Sequence, residues 1–375
     1  MTEKLYIGLM SGTSMDGVDC ALVQINGNQI QVIDFICTRI PSHIKKNLLD
    51  ISSNKLLDLR KFGSTDVEVA QLFATSVMEI LERNNIDANN ITAIGSHGQT
   101  IWHEPAQFAA QLPFTIQIGD PSTIALKTGI TTVADFRRKD MAAGGQGAPI
   151  VPAFHAEIFK SPSTDRFILN LGGIANITFL PKEQGQPKGL DTGPASVLMD
   201  AWIRQNLDKE FDEGGEWAKS GKIDYAFLKE LLNEVYFNLP GPKSTGRELF
   251  NISWLIGKLF NMGVEIAKED VQATLLEFSV ETIKREILKI RCDGEIIVCG
   301  GGVHNNVFLH SLKEKLHNFK IIISDEMGID PDCVESVAFA WFASKTLKRE
   351  PINFTPFTGA RHAVIAGGIY YSNLI

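Results

Sequence analysis

Met10-Ser11-Gly12-Thr13-Ser14-Met15-Asp16-Gly17 is the stretch whose reading decides the fold. It joins two apolar runs, residues 5–10 and 18–25, and the second alternates as a half-buried strand does. A hairpin turn typically needs about two to five residues, so this polar connection is longer than turning the chain requires. Glycine lets the backbone come close to a ligand, and successive N–H groups and Ser/Thr hydroxyls can surround phosphate oxygens. Asp16 beside phosphates would be repulsive unless a cation such as Mg²⁺ intervened. An ordinary turn uses the same residue types, so both readings stand on this stretch alone. It is not a Walker loop, since no GxxxxGK[ST] occurs.

Outward from this turn, Asn26-Gly27 signals a hairpin and residues 29–37 alternate again, so the chain opens as a β-meander. Ser64 or Thr65 is placed to cap a helix running to about Glu82. Strands at 92–95, 115–118 and 131–134 follow, with a short helix after Pro121. The second half repeats the plan: strand 167–171, the turn Gly172-Gly173-Ile174-Ala175-Asn176, strand 177–180 and a third strand at 189–191. Helices at 195–205, 225–235 and 271–290 come next, then strand 295–299, helix 305–316, strand 319–323 and helix 333–347. Two α/β domains with a cleft between them are the expected architecture, joined through the Gly/Ala/Pro- and Ser/Pro-rich segment 138–164.

The bulk numbers agree. A length of 375 residues suggests two domains, at roughly 150 residues each. With 44% hydrophobic and 21% charged residues the chain has enough apolar surface for packed cores, which excludes a disordered protein. The net charge is −8, and the densest basic run is Arg137-Arg138-Lys139, so nucleic acid is not an expected partner. The five cysteines are scattered without a CxxC spacing, which fits a reducing cytosol rather than a disulfide framework or a zinc site. No run approaches the roughly 18 apolar residues of a membrane helix, and the N-terminus does not read as a signal peptide.

Other clusters have residue types suited to chemistry. Asp191-Thr192-Gly193-Pro194 places a carboxylate at a strand end before a helix, where it serves either as a general base or as a cap. Cys299-Gly300-Gly301-Gly302 ends an apolar strand, and its glycines suit a flat ring against the backbone or simply a tight turn. His97, in Ser96-His97-Gly98-Gln99-Thr100, is a candidate base, though a lone His is more often a structural contact. Gln117 and Asp120 end another strand, and Asp120 either meets sugar hydroxyls or caps the helix after Pro121. Arg137, ahead of Gly144-Gly145-Gln146-Gly147, suits a carboxylate or phosphate bound bidentately. Lys243-Ser244-Thr245-Gly246-Arg247 has the residue types of a ligand contact or of a helix cap.

Taken in order, these loops resemble the actin-like ATPase and sugar kinase superfamily, and more closely the anhydro-N-acetylmuramic acid kinase family. The stretches that carry the resemblance are GLMSGTSMDGVD (8–19), IGSHGQTIWHEP (94–105), QIGDPS (117–122), TTVADFRRKDMAAGGQGAPIVPAFH (131–155), NLGGIANIT (170–178), GLDTGPASVLMD (189–200), PKSTGRE (242–248), GGGVHN (300–305) and PDCVESVAFAW (331–341), and they span the chain. The resemblance implies a duplicated fold of two βββαβαβα domains, one over residues 1–135 joined by 355–375 and the other over 136–354. It implies an enzyme that uses Mg-ATP and water to open 1,6-anhydro-N-acetylmuramic acid, giving N-acetylmuramic acid 6-phosphate in peptidoglycan recycling.

Carried onto this chain, the resemblance makes Asp191 the base that activates water. Gly12, Thr13, Ser14, Met15, Asp16, Gly17, Val18 and Asp19, with Gly172, Gly173, Gly300, Gly301 and Gly302, are assigned to ATP. His97, Thr100, Gln117, Asp120 and Arg137 are assigned to the sugar, and Asp16 and Glu335 to the metal, through water. Met10 departs from the superfamily, which usually carries an acidic residue at that place in its first phosphate loop. A homodimer is also implied. The rival expectations are a kinase for an N-acetylglucosamine-type sugar and an ATP-gated binding protein of the actin class.

Overall fold

The computed structural model describes residues 4–372 except 13, 14, 28, 54–56, 106–111, 184, 242 and 248. It contains two compact units, Met1–Ile158 with Gly328–Ile375, and Phe159–Met327. The change of unit at residue 158 falls inside the Gly/Pro-rich segment 138–164 rather than at 135, and the chain returns at 328 rather than at 355.

The first unit is built on a seven-stranded sheet. Strands β1 (Lys4–Ser11), β2 (Gly17–Asn26) and β3 (Gln29–Arg39) form the antiparallel meander. Strand β4 (Ile91–Glu104) lies parallel to β1, β5 (Phe114–Ile118) pairs antiparallel with β4, and β6 (Thr132–Ala134) runs parallel to β4. The C-terminal strand Gly368–Tyr370 closes the far edge against β6. Strand β4 runs well past residue 95, so Ser96–Thr100 belongs to the strand and not to a loop after it. Its last third is held by β5, through pairs such as Thr100↔Gln117 and His103↔Thr115.

The return at residue 328 has a packing cause. Helix Val334–Leu347 lies on β1 and β4 so closely that only glycine fits beneath it. Gly8 and Gly95 are register partners, and a Cβ on Gly8 would stand 2.9 Å from the Ala340 nitrogen while one on Gly95 would stand 2.6 Å from the Phe339 carbonyl carbon. Phe136 and Phe342 pack with ring centroids 5.6 Å apart, and Phe154 meets Trp341 at 5.8 Å. Helices Phe136–Ala142 and Val151–Ile158 are thereby tied to the first sheet, and the helix at 334–347 belongs there as well. The helix on the other side, Leu59–Asn84, begins earlier than Ser64: Asp58 caps it, accepting from the Arg60 and Lys61 nitrogens, and Thr65 is buried inside it.

The second unit has five strands: β7 (Arg166–Leu171), β8 (Ile174–Leu180), β9 (Lys188–Pro194), β10 (Gly294–Cys299) and β11 (Phe319–Ile323), in the order β11-β10-β7-β8-β9. β10 is parallel to both neighbours, and Ile296, Ile297 and Val298 are fully buried, as a strand covered on both faces requires. The long helix Lys268–Ile290 fills the core with Leu275, Phe278, Val280, Ile283 and Ile287. The order β9-β8-β7-β10-β11 repeats β3-β2-β1-β4-β6 of the first unit, with three antiparallel strands followed by two parallel ones. The two sheets thus repeat one plan, and in each copy Gly-rich candidate loops follow the carboxyl ends of parallel strands, where open α/β sheets bind ligands.

Candidate active site

In the first unit the polar turn follows the carboxyl end of β1. Thr13 and Ser14 lie outside the described residues. The rest is held by a buried polar residue that was not singled out in the sequence, Gln99. The Ser11 hydroxyl donates to Gln99 Oε1 at 2.7 Å and to the Gly17 carbonyl at 2.9 Å, although one hydrogen serves both. Gln99 Nε2 donates to the Gly12 carbonyl at 3.1 Å. Met15 takes a left-handed conformation, φ 55°, and buries its side chain in the core, which anchors the turn. Asp16 is exposed and paired with Lys45. Gly17, Val18 and Asp19 already belong to β2, opposite Arg39, Thr38 and Cys37.

Two carboxyls at this end of the sheet are displaced from their usual range. Burial pushes Asp19 up to about 6, with the charge of Asp332 adding and the Cys37 thiol, which donates to it, opposing. Glu335, in the first turn of helix Val334–Leu347, is also raised, by burial and then by Asp19, with Arg137 opposing. A cation would relieve both carboxylates. Asp19, rather than Asp16, is therefore the acid coupled to Glu335. Among the described residues no group of three His, Cys, Asp or Glu side chains is close enough to hold an ion unaided, so a metal here would need oxygens from water or a ligand.

Arg137 stands just past the end of β6. Its Nε donates to His97 Nε2 at 2.8 Å and its Nη1 to the Gly147 carbonyl at 2.9 Å. The first bond makes Nε2 an acceptor, so the ring proton is on Nδ1, which donates to the Gly98 carbonyl at 2.8 Å. Both ring nitrogens are thus engaged. Burial, and then the Arg137 charge, hold His97 well below its usual range, so the ring is neutral at pH 7. His97 thereby supports the Arg137 side chain. Burial draws Arg137 down to about 10, opposed by Glu335 and Asp140, and leaves it charged at neutral pH.

Asp140 is fully buried and accepts from the Gly147 nitrogen and the Thr358 hydroxyl, each at 2.7 Å. It thereby ties the Gly144–Gly147 loop that meets Arg137 to the C-terminal segment. On β5, Gln117 Nε2 donates to the Thr115 hydroxyl at 2.7 Å and the Thr100 hydroxyl at 3.2 Å. Its Oε1 is buried without a hydrogen-bond partner among the described residues. Asp120 caps helix Pro121–Thr128, accepting from the Ser122 nitrogen at 3.1 Å and the Thr123 nitrogen at 2.9 Å.

In the second unit, Gly172 and Gly173 make the β7–β8 turn, whose carbonyls accept from the nitrogens of Ala195, Ser196 and Val197 at 2.9–3.2 Å. A Cβ would be accommodated at either glycine, with nothing nearer than 3.5 Å. Of the three glycines after β10, two are explained by packing. Gly300 has φ 83° and ψ 162°, with a Cβ position 2.9 Å from the Leu171 carbonyl oxygen, and Gly302 has one 2.6 Å from Leu171 Cβ. Gly301 has nothing within 4 Å.

Asp191 lies within β9, opposite Asn176, not at the strand's end, and Pro194 ends the strand rather than opening the helix, which starts at Ser196. Its carboxylate Oδ2 accepts from the Thr245 nitrogen at 3.0 Å, and its own nitrogen donates to the Lys243 carbonyl at 3.0 Å. The Tyr236 hydroxyl donates to its carbonyl at 2.7 Å. The Lys243–Arg247 loop is thus docked on Asp191. The Thr245 hydroxyl is buried without a hydrogen-bond partner among the described residues.

Comparison with known proteins identifies what this arrangement belongs to. Residues 4–372 match the family model described as anhydro-N-acetylmuramic acid kinase. The anhydro-N-acetylmuramic acid kinase of Shewanella pealeana is 45% identical over 99% of both chains, and that of Photobacterium profundum 46% identical over 99% of both. That of Coxiella burnetii is 45% identical over 99% of this chain and 98% of its own. The candidate loops at the strand ends of both units fall within these matches, and the chain belongs to the anhydro-N-acetylmuramic acid kinase family.

Proposed function

We propose that this protein is an ATP-dependent sugar kinase that opens the 1,6-anhydro ring of 1,6-anhydro-N-acetylmuramic acid with water and phosphorylates the freed O6. The product is N-acetylmuramic acid 6-phosphate, formed in peptidoglycan recycling. Family membership over residues 4–372 carries the assignment. The support for the residue roles is the Asp191 carboxylate, oriented by a backbone N–H at 3.0 Å.

In this reading Asp191 takes a proton from water, whose oxygen bonds to the anomeric carbon as the bond from that carbon to O6 breaks. O6 then accepts the γ-phosphoryl group, ADP leaves, and Asp191 returns its proton to solvent. Such phosphoryl transfer depends on positioning and charge neutralisation rather than covalent help. In this reading Gly12–Asp19 take the ATP phosphates, Gly172 and Gly173 are assigned to ATP as well, and Gly301 borders the nucleotide while Gly300 and Gly302 shape its turn. Asp19 and Glu335, with Asp16 nearby in sequence, would hold Mg²⁺, which would supply positive charge to offset that of the phosphates.

Arg137 binds the lactyl carboxylate, because His97 and the Gly147 carbonyl leave a guanidinium edge for a bidentate partner. Gln117 Oε1 and Thr100 take sugar polar groups, while Asp120 shapes that wall as a helix cap. The protein acts in the cytoplasm, and the family resemblance supports a homodimer. Asp191→Asn tests the central role: turnover should vanish while ATP still binds, and near-normal turnover would remove Asp191 from the mechanism.

A further inference from the structure

Lys243 and Glu286 form an ion pair sealed from solvent, with Nζ 2.8 Å from Oε1 and side chains only 4% and 7% exposed. Burying two charges costs about as much as their attraction returns, so such a pair is weak evidence for stability. Its position suggests a different use. The Lys243 ammonium also donates to the Tyr236 carbonyl at 3.3 Å and lies 4.7 Å from the centre of the Tyr236 ring. Tyr236 holds the Asp191 carbonyl, the Lys243 carbonyl holds the Asp191 nitrogen, and Thr245, two residues on, holds the carboxylate. One buried cation therefore joins the two segments that grip Asp191, and Glu286 fixes that cation to the long helix Lys268–Ile290.

We infer that Lys243, clamped by Glu286, is a positioning residue that holds the Thr245 N–H against the Asp191 carboxylate and so fixes the direction in which that carboxylate points. The inference rests on the reading of Asp191 as the base. A carboxylate aimed in advance needs no reorganisation when the water arrives, and a shift of about 1 Å in such a group can lower the rate about 100-fold.

Lys243→Met is the informative variant, because Glu286 keeps Lys289 as a partner at 2.8 Å and is not left as a bare buried charge. Lys315→Met is the control: Lys315 pairs at 2.7 Å with Glu277, a buried carboxylate on the helix that also carries Glu286. Steady-state kinetics with ATP and 1,6-anhydro-N-acetylmuramic acid, repeated across pH, should show kcat of Lys243→Met falling about 10- to 100-fold. KM for ATP should stay within about twofold. The acid limb of kcat should move to higher pH, since a carboxylate deprived of an N–H donor holds its proton more tightly. Lys315→Met should show none of this.

Equal kcat losses in the two variants, or a wild-type kcat and acid limb in Lys243→Met, would overturn the inference. If Lys243→Met does not fold, Tyr236→Phe keeps the ring beneath the ammonium and removes the hydroxyl bond to Asp191, with an expected fall in kcat of about fivefold; an unchanged kcat there overturns it equally. Asp191→Asn, assayed alongside, separates the layers: an active variant defeats the base assignment itself, whereas a dead one beside a normal Lys243→Met defeats only the positioning role.

Discussion

The Gly300-Gly301-Gly302 run offers a test in which one substitution chemistry, Gly→Ala, should give opposite results at adjacent positions. At Gly300 the backbone, φ 83° and ψ 162°, lies in a region essentially reserved for glycine, and an added Cβ would overlap Asn170 Oδ1 and stand 2.9 Å from the Leu171 carbonyl oxygen. Backbone strain there costs about 1–3 kcal/mol and overpacking about the same again. Gly300→Ala should therefore lose about 3 kcal/mol or more, which lowers Tm by roughly 6–12 °C for a unit of this size. Gly302→Ala, with its Cβ 2.6 Å from Leu171 Cβ, should lose about 1–3 kcal/mol. At Gly301 an added Cβ meets nothing within 4 Å, so Gly301→Ala should leave Tm within about 2 °C of wild type. If the nucleotide lies flat on this peptide, the same methyl separates it from the backbone and raises KM for ATP about tenfold, equivalent to about 1.4 kcal/mol. Differential scanning fluorimetry and initial rates against ATP give both numbers. A Gly301→Ala enzyme with unchanged KM for ATP would refute the placement of the nucleotide, and a Gly300→Ala enzyme as stable as wild type would refute the packing argument.

Other consequences follow from the same structure. Gly8→Ala should cost about 3 kcal/mol or more, because the methyl would meet the backbone of helix Val334–Leu347 rather than a movable side chain; a melting curve matching wild type would contradict the close approach of that helix. Burial holds His155 down to about 3, so the folded protein keeps it neutral while an unfolded chain binds a proton below about 6.5. Its stabilising share is present above that pH and is lost as pH falls: by pH 5 the loss is about 2 kcal/mol, and His155→Phe should flatten the decline of Tm between pH 7 and pH 5. Asp165 and Glu295 act in the same sense at lower pH. Despite their partial burial, the bonds of Asp165 to the Lys182 nitrogen and Arg291 and of Glu295 to Arg166 hold both carboxyls below their usual range. Their stabilisation is present above about pH 4 and fades below it, so Arg166→Met should reduce the acid sensitivity of melting below pH 4.

Much of the fold was legible because it is written in local patterns. The alternating runs within residues 5–37 and the apolar runs at 167–171 and 295–299 coincide with observed strands, and Asn26-Gly27 falls where β2 ends ahead of β3. The extent of β4 was not legible, since most of residues 96–104 are polar or glycine, and the strand is carried on there by pairing with β1 and β6 at Ser96 and with β5 from Gln99 to Glu104. The unit boundary falls at 328 and not at 355 because helix Val334–Leu347 packs on the first sheet, and its largely apolar sequence marks burial without naming the sheet it covers; Gly8 and Gly95 were the available clue. At the site, loops rich in glycine stood out, whereas their supports did not. Gln99 under Ser11 and Gly12, Asp140 under Gly147, and the pairing of Lys243 with Glu286 connect residues up to 88 positions apart, and no periodicity encodes such partners. Asp120 and Asp191 show the converse, since the same residue type in similar surroundings became a helix cap in one place and a mid-strand carboxylate held by a loop in the other.

The most direct test of the proposed chemistry is to run the reaction in ¹⁸O-water and locate the label by mass spectrometry before the product's anomeric hydroxyl can exchange, with preformed unlabelled product in the same water as the control. Attack by water at the anomeric carbon predicts one ¹⁸O at that carbon and none in the phosphate ester. Product without label at the anomeric carbon, or with label in the phosphate, would contradict a mechanism in which Asp191 activates water to open the ring.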